Sequence, residues 1–131
     1  MKECGMLAGF KTFIWGTPKA RITDYAVFFN GKVRELIGDT PYVRIGFSDD
    51  GTLMGIEGSR EPDEYTTSTG RNAQNGDIRI SKGTLLKEVE RRTHWDLKNY
   101  SYRISGEIYK GIVVFDLKSA KKTKREHYKE D

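Results

Sequence analysis

Basic side chains carry most of the chemistry that this sequence offers. The run KSAKKTKREHYKED, residues 118–131, holds Lys118, Lys121, Lys122, Lys124, Arg125 and Lys129 against Glu126, Glu130 and Asp131. Lysines at this density can condense on a phosphate backbone, each contact releasing counterions. The three closing acids fit a solvated terminus equally well. A second candidate is Ser68-Thr69-Gly70-Arg71-Asn72, which could offer hydroxyls, amides and the Arg71 guanidinium to one phosphate. That stretch also reads as an ordinary solvated loop. Trp15 is a candidate stacking platform for a base, or a lid over the open end of a small barrel.

Support for catalysis is thin. The two histidines, His94 and His127, have no cysteine or second histidine at metal-ligand spacing. No phosphate loop, nucleophile elbow or zinc-protease motif occurs. Asp49-Asp50-Gly51 pairs two acids beside a glycine, yet the segment is too short for a calcium-binding loop and suits a hairpin turn. His94 precedes Trp95 and Asp96 where a helix should end, a place where the helix dipole favours a cation. The expectation is no enzyme, no metal and no cofactor.

Composition sets the remaining limits. The chain has 131 residues, 36% of them hydrophobic and 32% charged, with a net charge of +4 and a pI near 9.1. That size supports one domain with a core of its own. A basic balance favours acidic partners, nucleic acid first. No apolar run approaches the ~20 residues of a membrane helix. The N-terminal apolar stretch is broken by Gly9 and Lys11, unlike a secretory signal. Cys4 stands alone, which fits a reducing, cytoplasmic setting.

These residues have to be positioned by short elements. Arg21–Thr23 and Ala26–Phe29 read as strands split by Asp24-Tyr25. Asn30 is placed to cap a helix carrying Val33, Leu36 and Ile37, closed by Gly38. Tyr42–Phe47 and Thr52–Glu57 form a hairpin around Ser48–Gly51. Residues 60–75 read as a loop containing one candidate strand at Tyr65–Thr69. Asp77–Ile80 alternates, Ser81 stands at a cap position, and a helix is expected from Lys82 to Thr93 with Leu85, Leu86 and Val89 on its apolar stripe. Tyr100–Glu107 and Ile112–Leu117 follow as strands around Tyr109-Lys110-Gly111. A further strand is expected around Phe13–Trp15. Residues 120–131 have no apolar periodicity and are expected as a flexible tail.

The order strand, strand, capped helix, strand, glycine turn, strand therefore occurs twice, over 20–59 and 65–117. A half of this size cannot bury both faces alone, so two halves should close one shared core within residues 1–119. The run FFNGKVRELIG…YVRIGFSDDGTLMGI resembles the swapped-hairpin half-barrel of AbrB-like proteins, here in tandem, as in small proteins of phages and other mobile elements. The resemblance implies an α+β, barrel-like domain of two pseudo-symmetric halves and a monomer, the second half replacing a second chain. It also implies DNA binding through basic residues on the first strand and short helix, which match Arg21, Lys32 and Arg34. The family's Gly-Arg turn is replaced by Asp24-Tyr25.

The functional expectation is a non-enzymatic nucleic-acid-binding or regulatory protein. Arg21, Lys32, Arg34, Arg71, Lys121, Lys122, Lys124 and Arg125 would make the phosphate contacts. The alternative is a phage-encoded inhibitor of a host protein such as a defence nuclease, docking through Trp15, Tyr25, Tyr42 and Trp95, since aromatics anchor interfaces.

Overall fold

The computed structural model describes residues 16–69 and 77–124. In chain order these form β1 (Lys19–Ile22), β2 (Val27–Phe29), α1 (Gly31–Ile37), β3 (Tyr42–Phe47), β4 (Leu53–Ser59), β5 (Thr66–Ser68), β6 (Ile78–Ile80), α2 (Gly83–Thr93), β7 (Tyr100–Tyr109), β8 (Ile112–Asp116) and β9 (Lys121–Lys124). A short 3₁₀ turn, Leu117–Ser119, separates the last two strands. All strand pairings are antiparallel, in the order β5-β3-β4-β8-β7-β1-β2-β6. The result is a small, sheet-rich domain whose eight strands make a nearly closed barrel with two helices. No helix among the described residues is long and apolar enough to cross a membrane.

The core follows from period-two alternation. Ala20 and Ile22, Val27 and Phe29, Ile78 and Ile80, Met54 and Ile56, and Val113 and Phe115 all point inward and are buried. Phe29 and Phe115 meet at the centre with ring centroids 5.7 Å apart. Each helix adds a short apolar stripe. Val33 is buried from α1, and Leu86 and Val89 are buried from α2.

Local chemistry sets the boundaries. The Asn30 side chain accepts a bond from the Val33 amide (3.4 Å), so it caps α1 as expected, and it also accepts from the Lys19 amide (3.1 Å). One residue thus starts a helix and fixes the first strand. Gly38 ends α1 at φ 93°, a conformation that costs little without a Cβ. Ser81 does not cap α2. Its hydroxyl accepts from Arg79 Nε (3.1 Å), and the cap position falls to Lys82, which makes no side-chain cap bond.

Asp50 organises the β3–β4 turn by accepting from the hydroxyls of Ser48 (2.7 Å) and Thr52 (2.8 Å) and from the Thr52 amide (3.0 Å). These bonds, the Ser48 hydroxyl first, lower its pKa from 3.8 to about 2. A carboxylate whose folded pKa is depressed contributes stability above its unfolded pKa and loses it as pH falls through the folded value. Asp50→Asn should therefore melt below the parent protein at neutral pH. The gap should close between pH 3.8 and about 2, which a melting series against pH checks.

The β7–β8 turn holds Lys110 at φ 52° and Gly111 at φ 83°. Two successive positive φ values define the hairpin turn that Asn-Gly fits best. Lys110→Asn should raise stability by about 0.5 kcal/mol, the relief of a left-handed non-glycine residue less the Lys110–Tyr109 cation–π contact. Thermal melting reads it.

One expectation is corrected outright. Residues 121–124, expected within a flexible tail, form β9 on the edge of β7, pairing Lys124 with Tyr100 and Lys121 with Arg103. Backbone ladder bonds hold this strand, together with Lys122 Nζ lying 4.5 Å from the Tyr100 ring centroid. All four of its residues are exposed, so hydrophobic pattern gave no sign of it. The expected strand around Phe13–Trp15 lies outside the described residues.

Candidate nucleic-acid interface

In the strands between β6 and β9, residues that alternate with the core point outward, and register brings them into one line. Arg79 on β6 stands opposite Phe28 on β2, Phe28 opposite Arg21 on β1, Arg21 opposite Arg103 on β7, and Arg103 opposite Lys121 on β9. Cross-strand partners point to the same side of a sheet. The line therefore holds four cations and one aromatic ring across five strands. Lys19, two residues from Arg21, adds a fifth cation on the same face.

The cations of this line lack carboxylate partners among the described residues. None of Lys19, Arg21, Arg79, Arg103 and Lys121 forms an ion pair with a described carboxylate. Arg21, Arg103 and Lys121 are direct like-charged neighbours, an arrangement that opposes folding. Elsewhere Arg34, Arg44, Arg91 and Arg92 have carboxylate partners. Arg44 on β3 bonds both Glu57 (2.9 Å) and Asp63 (2.7 Å), which raises its pKa through the Asp63 bond first. Arg91 and Arg92 on α2 both donate to Glu88, whose pKa they lower, Arg91 first.

Aromatic surface lies within the same face. The Arg21 guanidinium is 4.3 Å from the Phe28 ring centroid. Tyr25, in the β1–β2 turn and half exposed, meets Phe28 edge-on at 5.8 Å. Arg79 lies 5.6 Å from the Tyr25 centroid and 5.7 Å from that of Phe28. Beside this cluster runs a groove of about 270 Å³ whose lining includes Lys19, Arg21, Phe28, Asn30, Asp77 and Arg103.

The residues singled out by sequence are dispersed by the fold. Arg21, Lys121 and Tyr25 join the basic face. Lys32 bonds Glu35 (3.1 Å), and Arg34 bonds both Asp39 (3.2 Å) and the Asp77 carbonyl (3.3 Å), so both helix cations have partners inside the chain. Lys122 stands opposite Tyr102, one register step off the line, and Lys124 sits at the end of β9. Trp95 is half-buried and stacks flat on Tyr102 with centroids 4.1 Å apart, as a packing residue does. Tyr42 lies in β3 between β4 and β5, away from the other aromatics. Trp15, Arg71 and Arg125 lie outside the described residues.

Lys19, Phe28, Arg79 and Arg103 escaped the sequence reading, although a local signal for the arginines exists. Ala20-Arg21-Ile22, Ile78-Arg79-Ile80 and Tyr102-Arg103-Ile104 are three triplets with a cation between two core residues. Each marks an outward arginine on a half-buried strand. Val43-Arg44-Ile45 has the same form, and its arginine is paired with acids.

Among the described residues no group of three or more His, Cys, Asp or Glu side chains could hold a metal ion. His94 closes α2 at φ 61°, its amide bonded to the Glu90 carbonyl (2.7 Å). Comparison with protein-family models, with curated proteins and with solved structures finds no significant match in any of the three.

Proposed function

We propose that this protein is a non-enzymatic nucleic-acid-binding protein whose contact surface is the outer face of β6, β2, β1, β7 and β9. The observation that carries the reading is the line of cations at Arg79, Arg21, Arg103 and Lys121, which have no carboxylate partner among the described residues. Three of them stand side by side against their own repulsion, while arginines on β3 and α2 have carboxylate partners. A rule of folding broken without local compensation is the usual mark of a surface kept for binding. Phosphate oxygens are the partner that such a surface lacks.

The fold belongs to the same proposal: two halves arranged as in AbrB-like barrels and related by a pseudo-two-fold. Strand order supports it. Exchanging β1–β4 with β5–β8 turns β1·β7 into β5·β3 and β3·β4 into β7·β8, and returns β4·β8 and β2·β6 to themselves. The pair β1·β2 has no counterpart among the described residues.

The test is fluorescence anisotropy with labelled DNA and RNA over a range of salt. Engagement of four or five phosphates gives a log–log salt slope of about −3 to −4.5. Absence of binding to any nucleic acid at low salt removes the proposal.

A second reading, docking to a host protein, has its own observation. Leu53, Ile108 and Tyr109 are exposed apolar side chains, and a trough of about 300 Å³ near Leu53 includes Ile112 and Val114 in its lining. A partner retained from host lysate after nuclease treatment favours it over nucleic-acid binding.

A further inference from the structure

We infer that the nucleic acid taken by the basic face is single-stranded, with bases stacking on the Tyr25–Phe28 cluster and phosphates held by the surrounding cations. This rests on the nucleic-acid reading above and narrows it. Size comes first. The line from Arg79 to Lys121 crosses four inter-strand steps, which at ~4.8 Å each span about 19 Å. The major groove of a duplex is ~12 Å wide and admits one helix or a two-stranded ribbon. A sheet face five strands wide does not enter it. The arginines that a helix could carry into a groove are engaged elsewhere, Arg34 with Asp39 and Arg91 and Arg92 with Glu88.

The aromatics make the second argument. In a duplex the bases are stacked on one another and have no use for an outward ring. In a single strand each base has a free face, and aromatic rings or guanidinium planes receive it. Tyr25 is half exposed and braced edge-on against Phe28, so its ring is held rather than loose. Arg21 and Arg79 lie against the same rings at 4.3 and 5.6 Å. They combine a flat surface for a base with donors for the adjoining phosphate. Lys19, Arg103 and Lys121 extend positive charge away from this cluster along the path a backbone would follow. Stacking centre and charged track together are the design by which barrel strands bind single strands with little sequence preference.

The experiment uses the full chain and four labelled probes of about twelve nucleotides, within the site sizes of such barrels. They are a single-stranded DNA, the matching RNA, the DNA annealed to its complement, and an abasic strand carrying phosphates without bases. The expected result is that DNA and RNA single strands bind about tenfold or more tightly than both the duplex and the abasic strand. Phe28→Leu and Tyr25→Ser should each weaken single-strand binding about tenfold and leave abasic binding unchanged. Tyr25 lies in a turn outside the core, so its variant reports on stacking even if Phe28→Leu disturbs the sheet.

Duplex binding as tight as, or tighter than, single-strand binding overturns the inference while the nucleic-acid reading stands. Equal affinity for abasic and natural strands, or full affinity in both aromatic variants, overturns it too. Loss of binding to all four probes removes both readings.

Discussion

Replacing Arg21, Arg103 and Lys121 together by glutamine should abolish most nucleic-acid binding without unfolding the protein. The three are consecutive partners across β1, β7 and β9, so one variant clears the centre of the basic line. Removing three phosphate contacts should flatten the log–log salt slope by about 2 to 3 units and lower affinity at moderate salt by roughly 10²- to 10³-fold. Stability should hardly move. Relief of like charges directly opposite one another is worth roughly 0.2–1 kcal/mol per pair. Loss of the Arg21–Phe28 contact costs about 0.5–1 kcal/mol. The terms nearly cancel, so the melting temperature stays close to that of the parent chain. A variant that binds undiminished shows the line to be idle. One that melts far lower shows it to be structural.

The largest stability effect should come from Phe115→Ala. Phe115 is fully buried on β8 and packs against Phe29 from the opposite side of the barrel. Its ring also fills the space left by Gly106 on β7, where an added Cβ would stand 2.7 Å from Phe115 Cε1. Truncation should cost about 3–5 kcal/mol, the transfer term plus the cavity left behind. That is a large part of the ~5–15 kcal/mol total stability usual for a domain. Gly106→Ala in the parent chain should also destabilise, by about 1–3 kcal/mol, because a packed ring must shift. In the Phe115→Ala background only the Val114 carbonyl oxygen, 3.0 Å away, still crowds the added Cβ, and most of the cost should disappear. Denaturant melts of the four proteins in this double-mutant cycle check the coupling. Additive costs would mean that ring and glycine do not share one packing site.

Much of the architecture was legible because local chemistry and tertiary structure agree. Asn30 and Gly38 bracket α1 as their types demand, and Tyr42–Phe47 is a strand over the residues its alternation marks. Ser81 misled because Arg79, two residues before it, donates to its hydroxyl. β9 was invisible because an edge strand held by backbone bonds needs no apolar side chains. The basic face was least legible of all. Its members come from five separate strands, and only pairing register aligns them. The triplets at 20–22, 78–80 and 102–104 show that each arginine points outward, not that the three meet.

The pairing of β1 with β7 also governs when the chain can fold. Arg21 and Arg103 are partners although they stand 82 positions apart, and β7 joins β1 to β8. Until β7 has left the ribosome, the first hairpin has one of its two edges open and the barrel has no closure. The domain should therefore fold only once β7 is available, on the millisecond-to-second scale of sheets built from distant pairings. Nascent chains ending before residue 100 would present bare strand edges to their neighbours.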